Sequence, residues 1–357
     1  MGVPKCNNQL SSLDEFEVST KDLRRIAYTI IAPGLIVVGI FGNVLNLLVL
    51  SKPFFNNCTR IYLRALAIAD VSILLFDISM VLRLSDSIGH SFYTAVFFAY
   101  IEMPLLTTFI AFSVYIITCL TIDRYISVCS PTTFNSFHTC KMAKGAILVC
   151  MGIAVLFASP LYLLKTTCWT EICQLSFMDN VTVTDTTYWR TYIIVSELMM
   201  RMGPAFVVAI LNILIIKKLK ALKKLRHKYS PSLKYNKDDG LANYTNKNKK
   251  YKDEQQLITL LQMISLLFLI TITPASFLSI WYTFRDDNSL GFERFRTAAN
   301  LLEMANFALN FFAYFLCSRE FRKALANVFQ KVINYKCYRE NFCKRNNQQI
   351  AIIIENF

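Results

Sequence analysis

Apolar residues run along this chain in blocks of membrane-crossing length, at about residues 26–50, 65–82, 95–128, 142–164, 192–216, 257–284 and 297–316. A helix needs roughly 18–20 predominantly apolar residues to cross a bilayer. The blocks therefore predict an all-α membrane protein, a bundle of seven transmembrane helices over residues 26–317. The connections are short except for a Lys-, Asn- and Tyr-rich linker over 217–254, so no second globular domain fits. Residues 1–25 are polar, without an apolar core and small-residue cleavage site, and the first span is expected to act as the targeting signal. Beyond residue 318, the stretch SREFRKALANVFQKV has apolar residues at helical spacing beside basic ones. It predicts a short amphipathic eighth helix lying on the membrane surface, within a tail over 318–357.

Composition agrees with membrane as the solvent: 54% of residues are hydrophobic and 17% charged, against about 25% charged in an ordinary soluble chain. A soluble enzyme is excluded on these grounds. The net charge of +14, from 38 Lys+Arg and 24 Asp+Glu, lies between apolar blocks rather than on an aromatic-interleaved surface. It reads as membrane topology, with no nucleic-acid partner. One set of loops carries Lys52, Arg60, Lys141, Lys144, a dense run over 217–252 and the tail after Arg319. The opposite set is balanced, with Lys165 and Arg190 against Glu171, Asp179 and Asp185. The basic set is expected in the cytoplasm, leaving the N-terminus outside and the C-terminus inside, as an odd number of spans requires. The basic linker is either a solvated loop or a surface for anionic lipid and acidic partners. Three histidines (His90, His138, His227) far apart, and cysteines without a C-x-x-C spacing, argue against a metal centre.

Polar groups inside the spans are expensive and need a reason. They are Asn43 in span one, Asp70 in span two, Asp123-Arg124-Tyr125 at the end of span three, and the Asn310-Phe-Phe-Ala-Tyr314 stretch in span seven. Pro204 and Pro274 interrupt spans five and six. There is no internal repeat of the kind that builds transporters, and no His/Asp/Ser constellation for intramembrane hydrolysis.

With these residues in this order, the chain resembles the rhodopsin-like (class A) G-protein-coupled receptors across all seven spans. The stretches PLLTTFIAFSVYIITCLTIDRYISVCSP, ILNILIIKKL and NFALNFFAYFLCSREFRKAL resemble the FMRFamide-type neuropeptide receptors of invertebrates. The resemblance implies a plasma-membrane receptor for an extracellular neuropeptide, partnered inside by a heterotrimeric G protein and arrestin. The alternative on the same fold is a chemosensory receptor for a small molecule.

The resemblance assigns Asp123, Arg124, Tyr125, Glu254 and Tyr314 to G-protein coupling and switching. An Arg124–Glu254 pair would act as a two-state latch, since a partly buried guanidinium needs such partners. Asp70, Ser113, Asn306 and Asn310, with Asn43, match a central polar cluster that commonly holds a sodium ion. The other reading is a water-filled hydrogen-bond network. No other cofactor is implied. Toward the outer half lie Asp77, Glu102, Glu197 and Glu303 against Arg83 and Arg201. Glu197 and Arg201 stand four apart and can satisfy each other. The acidic remainder favours a cationic ligand, such as a peptide ending in Arg-Phe-amide, unless the acids pair internally or are protonated.

The chain departs from the family at several positions. Cys150 and Ile272 stand where tryptophans are usual, Asn212 and Phe311 replace a Tyr and a Pro, and Ala99 replaces the Cys at the top of span three. Pro204, Val114 and Phe268 keep the packing trio in modified form. Cys6, Cys168 and Cys173 remain as disulfide candidates, with Cys168 or Cys173 in one bridge. Asn180 heads a glycosylation sequon, and Cys337 and Cys343 are candidates for palmitoylation or free thiols.

Overall fold

In the computed structural model, the described residues are 20–51, 58–85, 92–130, 134, 138–163, 165–168, 176–179, 187–229, 241–284, 289–319 and 321–330. Helix α1 is Thr20–Leu50, α2 Thr59–Leu84, α3 Phe98–Cys129 and α4 Cys140–Tyr162. Helix α5 starts at Thr187 and runs to Tyr229, and α6 is Leu241–Phe284. Helix α7 is Leu290–Ala308, resumed as Asn310–Cys317 after a break at Leu309. Six of these, α1 to α6, are long and apolar enough to cross a membrane. Helix α7 falls short on that measure because Glu293, Arg294, Arg296 and Glu303 sit along it, yet it packs against α1, α2 and α6 as a member of the bundle. Residues 321–330 form a further helix, α8, whose first turn is capped by Ser318 Oγ accepting from the Phe321 amide at 3.2 Å. Its Phe321 and Leu325 are buried.

Helix starts follow local chemistry. Thr139 caps α4 by accepting from the Met142 amide, and Ser289 caps α7 by accepting from the Phe292 amide. These hydroxyls satisfy amides that have no intrahelical partner. Helix α3 packs on α2, α4 and α5, and α6 packs on α7. The core between them holds Ile73, Leu74, Ile116, Ile117, Phe268 and Phe307. Large apolar side chains also face outward, among them Val37, Phe41, Leu148, Leu156, Phe206 and Leu316. Such a surface suits hydrocarbon, in which apolar exposure carries no penalty. Gly39 sits where α1 approaches α2 and α7 closely, and a Cβ there would lie 2.6 Å from a Leu74 methyl and 2.8 Å from the Ala308 Cα.

Two features lie outside the helical pattern. One is an antiparallel ribbon, β1 (Lys165–Cys168) and β2 (Ser176–Asp179), between α4 and α5. The other is a set of widened π-turns, at Ile26–Ile31, Phe98–Glu102 and Leu198–Met202. Each ends two positions before a proline: Pro33, Pro104 and Pro204. Proline lacks an amide and its ring pushes away the carbonyl four residues back, so the turn before it widens. At α5, the Tyr115 hydroxyl donates to the Met199 carbonyl within that turn. Pro274 in α6 has no such turn.

Candidate functional site

Three polar sites lie along the bundle axis. At one end, Arg124 on α3 is buried and donates to Asp123 beside it and to Thr59 Oγ1 at the start of α2. Asp123 also meets His138 Nδ1 at 2.8 Å. Thus the carboxylate of Asp123 is held from two sides. Tyr125 packs against a small cluster of Val128, Ile215 and Ile258, which joins α3 to α5 and α6. Thr121 and Ser265 hydroxyls lie 3.3 Å apart one turn deeper, linking α3 to α6 again.

In the middle, Asp70 on α2 accepts from Ser113 Oγ at 3.0 Å and from Asn310 Nδ2 at 2.6 Å. All three are at most 2% exposed. The break at Leu309 comes immediately before Asn310, where α7 restarts. Asn43 Nδ2 donates to the Phe307 carbonyl at 2.8 Å and binds α1 to the same stretch of α7. Asn306 accepts from Thr271 at 3.0 Å, adding α6. Five helices, α1, α2, α3, α6 and α7, are therefore tied by groups that would be costly if left unpaired. Tyr314 is buried one turn beyond Asn310, its ring 5.4 Å from that of Phe321 on α8.

At the opposite end, the charged side chains divide into engaged and unengaged groups. Glu102 is 1% exposed and accepts from Arg83 at 2.8 Å and Ser79 at 2.6 Å. The Arg83 guanidinium also lies 3.5 Å from the centre of the Phe98 ring. Arg201 stands 3.2 Å from Glu303 and 3.9 Å from Glu197. Asp77 is 4% exposed, and its Oδ2 has no hydrogen-bond partner among the described residues. Its charged neighbours are the acids Glu303 and Glu102. A buried carboxyl group with acids for neighbours must hold either a proton or a cation. Glu102 and Arg201 both lie within π-turns, whose extra residue re-aims them.

The sequence reading missed His138 and Thr59 as partners of the Asp123–Arg124 pair. His138 stands in the sequence as an isolated histidine, and no pattern singles out Thr59 for this role. Among the packing positions, Val114, Phe268 and Ile272 are buried together in the core. Cys6, Cys173, Asn180, Cys337 and Cys343, and the side chains of Cys168 and Glu254, lie outside the described residues. No group of three metal-ligating side chains occurs among the described residues.

Residues 42–314 match the family described as 7 transmembrane receptor (rhodopsin family), and the chain belongs to that family of G-protein-coupled membrane receptors. Two relatives extend over most of it. The Probable G-protein coupled receptor AH9.1 of Caenorhabditis elegans is 27% identical over 85% of this chain and 75% of its own length. The FMRFamide receptor of Drosophila melanogaster is 25% identical over 83% of this chain and 52% of its own length. Similarity to the Adenosine receptor A2b of Gallus gallus, 29% identical, covers 35% of this chain.

Proposed function

We propose that the protein is a receptor for an extracellular neuropeptide with a cationic, FMRFamide-like end, and that it signals through a heterotrimeric G protein. The observation that carries the ligand class is Asp77, buried, acid-flanked and with an unbonded carboxylate oxygen at the end opposite Arg124. An arginine side chain supplies the missing cation there, and the aromatic ring beside it in such a peptide suits the apolar surroundings. Resemblance to a receptor named for FMRFamide over 83% of the chain supports a peptide. Similarity to adenosine receptors, confined to about a third of the chain, gives less support to a small molecule.

In this reading the Arg124 end faces the cytoplasm, in keeping with Lys141 and Lys144 at the start of α4 and the basic run beyond Ile216. The ligand-free receptor keeps Arg124 on Asp123 and Thr59, with Glu254 of α6 as a further partner. Ligand pairing at Asp77 favours an arrangement in which α6 moves and Arg124 exchanges these partners for the G protein. The Asp70–Ser113–Asn310 cluster lies between the two ends and holds sodium in the inactive arrangement. Arrestin engages the same cytoplasmic surface, and α8 lies along the inner leaflet with Cys337 and Cys343 as palmitoylation sites. Asn180 carries glycan on the outer side, and one disulfide uses Cys168 or Cys173. A peptide-library screen on cells expressing the receptor, read by G-protein activation, tests the reading. Activation by amidated peptides containing Arg supports it; activation only by uncharged small molecules contradicts it.

A further inference from the structure

Cys58, the residue before α2, and Cys140, the first residue of α4, place their sulfurs 2.7 Å apart although 82 positions separate them. Both are free thiols. They differ in access: Cys58 is 8% exposed, whereas Cys140 is open to solvent. Cys58 also points its thiol at the His138 carbonyl, 3.7 Å away. The two cysteines flank the partners of the Asp123–Arg124 pair. Thr59, next to Cys58, accepts from Arg124, and His138, two before Cys140, meets Asp123. A second close pair, Cys119 and Cys150 at 3.6 Å, lies within the membrane-spanning parts of α3 and α4, where apolar surroundings disfavour the thiolate that peroxide needs.

We propose that Cys58 and Cys140 form a reversible disulfide under peroxide, clamping the start of α2 to the start of α4. The exposed Cys140 reacts first: its thiolate attacks hydrogen peroxide, the O–O bond breaks, and Cys140 becomes a sulfenic acid while the departing hydroxide takes a proton as water. The Cys58 sulfur then attacks the Cys140 sulfur. The S–S bond forms, the S–O bond breaks, and the Cys58 proton leaves with that oxygen as a second water. Two thiols lose two electrons and one peroxide becomes two waters. Burial and the adjacent Cys140 push the Cys58 thiol up to about 11, so it stays protonated until that second step and does not compete for the oxidant. Reduction runs from the open side, where a dithiol reductant can reach the Cys140 sulfur and release Cys58. The link holds Thr59 and His138 against Arg124 and Asp123. Its effect on coupling rests on the reading of Arg124 given above, but its formation does not.

The test treats full-length receptor in native membranes with graded hydrogen peroxide, then denatures it, caps remaining thiols with N-ethylmaleimide and identifies peptides by mass spectrometry. The expected result is a linked Cys58–Cys140 peptide that rises with peroxide and disappears with dithiothreitol, while Cys119 and Cys150 are recovered capped. Amide hydrogen exchange in the first turns of α2 and α4 should slow on oxidation. Cys140→Ser should leave Cys58 capped and exchange unchanged by peroxide. Recovery of Cys58 as the capped thiol from oxidised wild type overturns the proposal, as does Cys140 linked to glutathione or another cysteine. A linked pair without slower exchange overturns the clamp. None of these outcomes bears on whether the receptor takes a peptide.

Discussion

Arg201 on α5 stands closer to Glu303 on α7, at 3.2 Å, than to Glu197 one turn below it on its own helix, at 3.9 Å. The guanidinium therefore acts across the bundle and ties α5 to α7. Arg83 does the same between α2 and α3 through Glu102. With Arg83 on Glu102 and Arg201 shared between Glu303 and Glu197, Asp77 is the one of these four acids without an ion pair among the described residues.

This division separates stability from affinity. Glu102→Gln removes an ion pair whose carboxylate is buried, and such losses cost about 3–5 kcal/mol when both partners are buried. Arg83 is partly exposed, so solvent screening lowers the expected cost to about 1–3 kcal/mol. Thermal unfolding of the detergent-solubilised receptor should show a lower midpoint. Asp77→Asn relieves like-charge crowding and should leave the midpoint unchanged or raised. The reverse order of the two midpoints would mean that Glu102 is the unengaged acid.

Arg124→Ala is expected to abolish G-protein activation while surface expression is retained. Arg124 is the cation held by Asp123 and Thr59 at the proposed cytoplasmic mouth. Agonist-stimulated nucleotide exchange checks this, and wild-type exchange by the mutant contradicts it.

Glu254→Ala removes a proposed partner of the same guanidinium and should raise ligand-free signalling. The comparison is made at matched surface expression. Unchanged basal exchange would remove Glu254 from the latch and leave Asp123, Thr59 and His138 as the groups that restrain Arg124.

Asp70 accepts from Ser113 and Asn310, and its remaining acceptor capacity suits a small cation. If sodium prefers the inactive arrangement, linkage requires it to weaken an agonist that prefers the active one. Replacing sodium with a large organic cation should raise agonist affinity in wild type and have no effect in Asp70→Asn. Insensitivity of the wild type would identify the cluster as a hydrogen-bond network alone.

The polar residues of the middle site were legible because each interrupts an apolar span. Asp70, Asn43 and Asn310 can be picked out one helix at a time, and burial then forces them together. The charged end was less legible. A π-turn adds one residue to its turn, which rotates the following side chains by about 100°. Counting in steps of 3.6 through Phe98–Glu102 or Leu198–Met202 therefore misplaces Glu102 and Arg201. The spacing of Glu197 and Arg201 does give an ion pair, at 3.9 Å, but the cross-bundle partners, Glu303 for Arg201 and Glu102 for Arg83, lie on other helices, where spacing along one helix says nothing. The prolines that accompany these turns were visible, but Pro274 shows that a proline alone does not specify one. His138 was beyond reach for a different reason: its contact with Asp123 depends on the path of the connection before α4, which carries no periodic pattern.

The central claim is that Asp77 binds the cation of a peptide ligand, and a two-by-two comparison of affinities measures it directly. An activating amidated peptide and its citrulline analogue, which lacks the charge, are titrated against wild type and Asp77→Asn. Loss of one partner of a desolvated charge pair costs about 2–5 kcal/mol. The account predicts that citrulline weakens binding to wild type by that amount, while the Asp77→Asn receptor binds both peptides almost equally. An equal citrulline penalty in the two receptors would contradict it.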